Sequence, residues 1–278
     1  MDFFAVHILL QDPVQIDLLT GQLTSLGFTG FEQRDDRLIA CIPAADFPDQ
    51  NELVALLSAQ KLVFEVQAVP STNWNAAWEQ SFSPVRINDF CGIRASFHQP
   101  LEHVKHEIII TPRMTFGTGH HATTASMIRL MEGLDLAGTS VLDFGTGTGV
   151  LAILAARMGA AKVLGLDNDP AAVENAWENA RENGIGEQLS FACADRPDPR
   201  YGTFDCILVN IQLHVILQFW RELQVLLPPG GLLLVSGILE KDVRYLKDAA
   251  AKYAMILENR LTETGWASLL LKKQPFHD

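Results

Sequence analysis

The chain has 278 residues, 48% of them hydrophobic, and carries 33 acidic against 21 basic side chains for a formal net charge of −12. That length suits two domains with a sizeable core, and the acidic balance excludes a broad basic footprint for nucleic acid, whose phosphates need clustered Lys and Arg, while favouring a basic or neutral partner. Cys41, Cys91, Cys193 and Cys206 are scattered without a C-x-x-C pair, and there is neither a basic leader nor an apolar run of about 18 residues, so the expectation is a cytoplasmic protein with reduced thiols and no membrane segment.

Residues 3 to 10 read as a strand and residues 14 to 26 as an amphipathic helix stopped by Gly27. Strands over 31 to 34 and 37 to 42 flank an Asp35-Asp36 turn, residues 51 to 60 read as a helix, and residues 62 to 69 alternate like a half-buried strand. The order β-α-β-β-α-β is that of a ferredoxin-like module. Residues 1–69 hold no Cys/His cluster, no glycine loop and, beyond the Asp35-Asp36 turn, no obvious carboxylate pair, so recognition is the expected role of this domain. From 70 to 106 the periodicity fades into a connector with Trp74, Trp78, Phe82 and Phe90. These aromatics either pack between domains or line a substrate groove, the first being favoured by the burial habits of such side chains.

The second domain is expected over 107–278. A short strand at 107 to 110 leads into Thr111-Pro112-Arg113-Met114-Thr115-Phe116-Gly117-Thr118-Gly119-His120-His121-Ala122-Thr123-Thr124 and a helix over 125 to 131, whose start Thr123 and Thr124 can cap. Adjacent His120 and His121 diverge and lack a third ligand nearby, so no metal site is expected. Next, Val141-Leu142-Asp143-Phe144 meets Gly145-Thr146-Gly147-Thr148-Gly149 and passes into an apolar helical run, which reads as strand, tight loop, helix. Glycines let such a loop take positive φ and lie against a ligand at a helix N-terminus. The spacing is not the dinucleotide G-x-G-x-x-G, because Val150 stands where that pattern needs glycine, so NAD is disfavoured. About twenty residues on, a strand over 162 to 167 ends in Asp167, where nucleotide folds place the acid that binds ribose hydroxyls. Strands over 189 to 193, 204 to 209 and 232 to 236 follow, with Asn210 at a sheet edge, a helix from Leu213 to Leu226, another over 240 to 252, and a closing hairpin over 255 to 261 and 266 to 272.

Asp143-x-Gly145-x-Gly147-x-Gly149 with Asp167 resembles the class I S-adenosylmethionine-dependent methyltransferases. Adding Phe116-Gly117-Thr118-Gly119-x-His121-x-Thr123-Thr124, Gly165-Leu166-Asp167-x-Asp169-Pro170 and Asn210-Ile211, the series resembles the PrmA family of ribosomal protein methyltransferases. The resemblance implies a Rossmann-like α/β methyltransferase domain behind a small α+β domain that grips the substrate, a large-subunit ribosomal protein at the stalk base. It implies S-adenosylmethionine as cofactor, held by Thr124, Gly145, Asp167 and Asn210, with Gly147 in the same loop. His120, Ala122, Arg113 and Gln212 depart from the family pattern, on the methyl-acceptor side rather than the cofactor loop.

Methyl transfer to an amine needs alignment and a neutral nitrogen. At pH 7 neutrality costs about 4.6 kcal/mol for a lysine but only about 1 to 1.4 kcal/mol for an N-terminal amine. Asn210 can accept a hydrogen bond from the amine and aim its lone pair, and His121 can either take the released proton or order its loop. The alternatives are a methyltransferase for another protein or a small amine, and a non-catalytic binding module on the same fold.

Overall fold

The protein is described here by a computed structural model covering residues 3–10, 12–34, 37–47, 50–69, 83–111 and 121–275. It divides into two compact units, Met1–Phe82 and Ser83–Asp278. Among the described residues no helix is long and apolar enough to cross a membrane. Asp35, Asp36, Trp74, Trp78, Phe82, Arg113, His120 and the Phe116-to-Gly119 loop lie outside the described residues.

In the first unit β1 (Phe3–Leu9), α1 (Pro13–Ser25), β2 (Gly30–Arg34), β3 (Arg37–Pro43), α2 (Gln50–Ala59) and β4 (Phe64–Val69) follow one another. The sheet runs β2-β3-β1-β4 with every neighbouring pair antiparallel, the ferredoxin-like arrangement. Register explains the core. Val6 lies opposite both Ala40 and Val66, and Ile8 opposite Leu38; because side chains alternate across a strand, Val6, Ile8, Leu38, Ala40 and Ile42 share one face. That face is closed by Ile16, Leu19 and Leu23 of α1 and Leu53 and Leu57 of α2, all buried.

The second unit opens with a small sheet, β5 (Val85–Ile87), β6 (Cys91–Arg94) and β7 (His106–Ile109), in which β6 pairs antiparallel with β5 and parallel with β7. Its first two strands fall inside the stretch where the sequence periodicity fades. They are short, and β6 ends in an arginine that breaks the apolar run yet is buried. Arg94 tolerates burial because its guanidinium pairs with Glu107 and donates to the carbonyls of Ala95 and His98.

Then come α3 (Ala122–Glu132), β8 (Ser140–Phe144), α4 (Val150–Arg157), β9 (Lys162–Asp167), α5 (Pro170–Glu182), β10 (Leu189–Cys193), β11 (Cys206–Asn210), α6 (Leu213–Gln218), α7 (Trp220–Val225), β12 (Leu232–Leu239), α8 (Val243–Lys252), β13 (Met255–Glu263) and β14 (Trp266–Lys273). The seven-stranded sheet runs β10-β9-β8-β11-β12-β14-β13. Its first five strands are parallel, and β14 inserts antiparallel between β12 and β13. Both faces are covered, which is why these strands are apolar at successive positions rather than alternating. Val141, Val163, Leu208 and Leu234 pack with Met127, Ile153 and Leu154 on one side, while Leu142, Leu164, Ile207 and Leu233 pack with Phe219, Trp220 and Leu246 on the other. The helical stretch read as one segment from Leu213 is split at Phe219, whose φ of −102° and ψ of 15° leave the helical region and turn the apolar side of both pieces onto the sheet.

Candidate active site

The strand order reverses between β8 and β11, the switch point at which open α/β sheets bind ligands beyond their carboxyl ends. A cleft of about 610 Å³ lies there, lined by Thr124, Phe144, Gly145, Gly147, Asp167, Asn168, Asp195, Asn210, Gln212, Gly237 and Trp266, among others, and by His121.

Its floor is the glycine loop. The N–H groups of Gly145 and Thr146 both donate to the Leu166 carbonyl, at 2.8 and 2.9 Å, and the Gly147 N–H donates to Asp167 Oδ2 at 2.8 Å. Gly145, Gly147 and Gly149 have φ of +78°, +53° and +80°, a region costly for residues with a Cβ. At Gly145 space forbids a side chain as well, since a Cβ would lie 2.3 Å from Ile211 Cγ2. Below the loop, buried Asp143 accepts a hydrogen bond from Thr146 Oγ1 at 2.7 Å. Burial pushes its carboxyl up to about 7, against the opposing effect of the bonds from Thr146 and the Ala152 backbone.

Asp167 closes β9 and takes the Asp169 N–H on Oδ1 at 3.1 Å as well as the loop on Oδ2. Two carboxylate oxygens offer about four acceptor positions, so two remain for ligand hydroxyls. Asp169 in turn caps α5, accepting from the Ala171 N–H, with Pro170 in the first turn.

Across the cleft, Asn210 Nδ2 donates to Thr124 Oγ1 at 3.3 Å, while Asn210 Oδ1 is buried with no hydrogen-bond partner. A buried acceptor in that condition is costly unless a ligand satisfies it. His121 is the N-cap of α3, its Nδ1 accepting from the Thr123 N–H and lying 2.8 Å from Thr123 Oγ1, and its ring meets Trp266 edge-on at 5.0 Å. Thus His121, Thr124, Gly145, Gly147, Asp167 and Asn210 all border one cavity. Of the departing positions, Ala122 opens α3 and exposed Gln212 lies on the cleft wall.

Three contributors escape sequence reading. Asp195 lies two residues past β10, while Asp167 is the last residue of β9, and an acid near a strand end was the signal available for it. Trp266 reaches the cleft only because β14 lies next to β12. Gly237 sits in a bulge of β12 with φ of +80°, where a Cβ would come within 2.3 Å of the Ile211 carbonyl oxygen; an isolated glycine in a strand was the hint of that close approach.

The cleft joins a glycine loop, spaced otherwise than the dinucleotide pattern, to the carboxylate of the next strand. On a sheet whose strands run 3-2-1-4-5-7-6 it defines the class I S-adenosylmethionine-dependent methyltransferases. The family model described as Ribosomal protein L11 methyltransferase (PrmA) matches residues 32–274, and the chain belongs to that family. It is similar to the ribosomal protein L11 methyltransferase of Porphyromonas gingivalis, 38% identical over 267 residues covering 91% of this chain and 89% of that one. The corresponding protein of Chlorobaculum tepidum is 33% identical over 267 residues, 92% of each chain. Among solved structures, the ribosomal protein L11 methylase of Lactobacillus delbrueckii subsp. bulgaricus matches with a TM-score of 0.65 and 26% identity, over 70% of this chain and 100% of that one.

Proposed function

We propose that the cleft binds S-adenosylmethionine with its ribose on Asp167, and that the protein methylates amino groups, lysine side chains or the N-terminal amine, of ribosomal protein L11 at the stalk base, with residues 1–69 as the recognition domain, 70–106 as the connector and 107–278 as the catalytic domain. The observation that carries this reading is the unsatisfied Asn210 Oδ1 in the same cleft as the glycine loop and Asp167. The cofactor fits: Gly145 and Gly147 present backbone without side chains to the cleft, and Asp167 keeps acceptor capacity for two hydroxyls.

Bound S-adenosylmethionine supplies a methyl group on a positive sulfur that an amine can displace in line. The protein's share is to deliver a neutral amine along that line. Asn210 Oδ1 accepts one amine hydrogen, which leaves the lone pair pointing away from the side chain. Thr124 fixes the amide by receiving its Nδ2 hydrogen bond, so the oxygen and not the nitrogen meets the substrate. Trp266 lines the same cleft and narrows the space in which the amine can approach. His121, with Nδ1 committed to the helix cap, serves to order the start of α3. Asn210→Ala should lower kcat by about 100-fold through lost alignment, together with a smaller loss of cofactor affinity read by calorimetry. The decisive experiment is mass spectrometry of ribosomal proteins from a deletion strain: L11 should lose whole methyl groups and regain them when the gene is restored. Unaltered L11 would refute the assignment.

A further inference from the structure

The glycine loop is built from residues that hold the backbone loosely, and most of its peptide groups are anchored by the sheet it leaves: Gly145 and Thr146 by Leu166, Gly147 by Asp167. The peptide joining Thr148 to Gly149 is held differently. Its N–H donates to the Thr146 carbonyl at 2.8 Å, and its carbonyl accepts from Asn179 Nδ2, also at 2.8 Å. Because the peptide is planar, fixing both ends fixes its orientation, and with it the start of α4. Asn179 is fully buried and is not among the residues lining the cleft.

The amide of Asn179 is itself oriented from outside the loop. Its Oδ1 accepts from the Thr111 N–H at 2.8 Å, beyond the end of β7, so only Nδ2 can face Thr148. Asn179 is one rung of a ladder on α5. At four-residue spacing, Asn183 exchanges two hydrogen bonds with the backbone of Ile109, at 2.9 and 2.6 Å, and Asn175 reaches the Thr111 carbonyl at 3.4 Å. The three amides pair with the strand edge as another strand would. Asn183 likewise accepts from a backbone N–H of this segment, and bonds its carbonyl as well, but has no bond to the glycine loop.

We infer that Asn179 is a positioning residue for the cofactor: it ties the glycine loop to the segment after β7, so that affinity for the nucleoside depends on a side chain that never touches it. This rests on the glycine loop being the cofactor seat. The test compares the full-length chain with Asn179→Ala and Asn183→Ala, titrating each with S-adenosylmethionine in a calorimeter at a temperature where circular dichroism shows both folded. Asn179→Ala should raise the dissociation constant about tenfold, the equilibrium change matching one lost buried hydrogen bond, and Asn183→Ala less than about twofold. Equal changes in the two variants, or none in Asn179→Ala, would overturn the inference while leaving the cofactor reading intact. If wild-type protein does not bind, the cofactor reading fails and this inference with it. Should Asn179→Ala not fold, hydrogen exchange on wild-type protein decides: S-adenosylhomocysteine should protect the Thr111 amide more than the Ile109 amide, and equal protection refutes the coupling.

Discussion

The two units bury different things. Among the described residues the first unit buries no polar or charged side chain, and its core of Val6, Ile8, Leu19, Leu38 and Leu53 is apolar throughout. The second unit buries many, Arg94, Ser236, Ser268 and Lys273 among them, and Thr124, Asp143, Thr146, Thr148, Asn175 and Asn179 form a group in or behind the cleft. A buried polar group is tolerated only when it is matched by partners, and a matched network fixes one arrangement where an apolar core accepts several. Around the cleft, clustered polar burial therefore fixes backbone position and not stability alone.

The contrast can be broken first at Gly145. Gly145→Val should weaken cofactor binding by about 100-fold or more, from ~1–2 kcal/mol for a left-handed backbone and ~1–3 kcal/mol for overpacking against Ile211. Calorimetry is the measurement, and retained affinity would show that the loop is not the seat. In the first unit, Leu19→Ala should cost about 2–5 kcal/mol of that unit's stability. It should raise KM for the protein acceptor and leave the cofactor dissociation constant alone. A change in cofactor affinity would show that the two units do not divide the work. Asp167→Ala should weaken binding by about 1.5–3 kcal/mol, and because the carboxylate also holds Gly147 and Asp169 in place, added sodium acetate should not restore affinity.

The smallest effect concerns Asp143. Its carboxyl is raised from 3.8 to about 7 by burial, so the folded protein keeps a proton that the unfolded chain releases. The associated stabilisation is full below the unfolded value and is lost as pH rises through the folded one. Asp143→Asn carries no such proton. Its melting temperature relative to wild type should therefore rise, on the order of a few degrees, between about pH 5 and about pH 8. A difference independent of pH would mean that Asp143 is ionised in the folded state.

Much of the fold was legible because the elements that make it are periodic. The strand ending at Asp167, the glycine loop and the order of the first unit follow from alternation, helical spacing and turn residues, and the structure has each of them. Strands β5 and β6 were not legible, since three- and four-residue strands carry too little pattern and Arg94 is buried only by virtue of Glu107, thirteen positions away. In the cleft, the residues named from motifs sit where sequence-local features put them. Trp266 and Gly237 depend on β14 and Ile211 coming alongside β12, which no local pattern encodes. Asn179 carries no motif, and its task depends on Thr111 and Thr148 meeting the same side chain, which no local pattern encodes.

The place of β14 also sets an order of events during synthesis. The strand made last of the seven is not an outer one: it lies between β12 and β13, and it carries Trp266 into the cleft. While a ribosome is still making residues 266–273, β13 has no neighbour to pair with and β12 keeps one side open. A chain emerging from its N-terminus can thus assemble the five parallel strands early but closes the Trp266 side of the cleft only as translation of this segment ends. The lining of the cleft is complete only when the chain's own passage through a ribosome is nearly over.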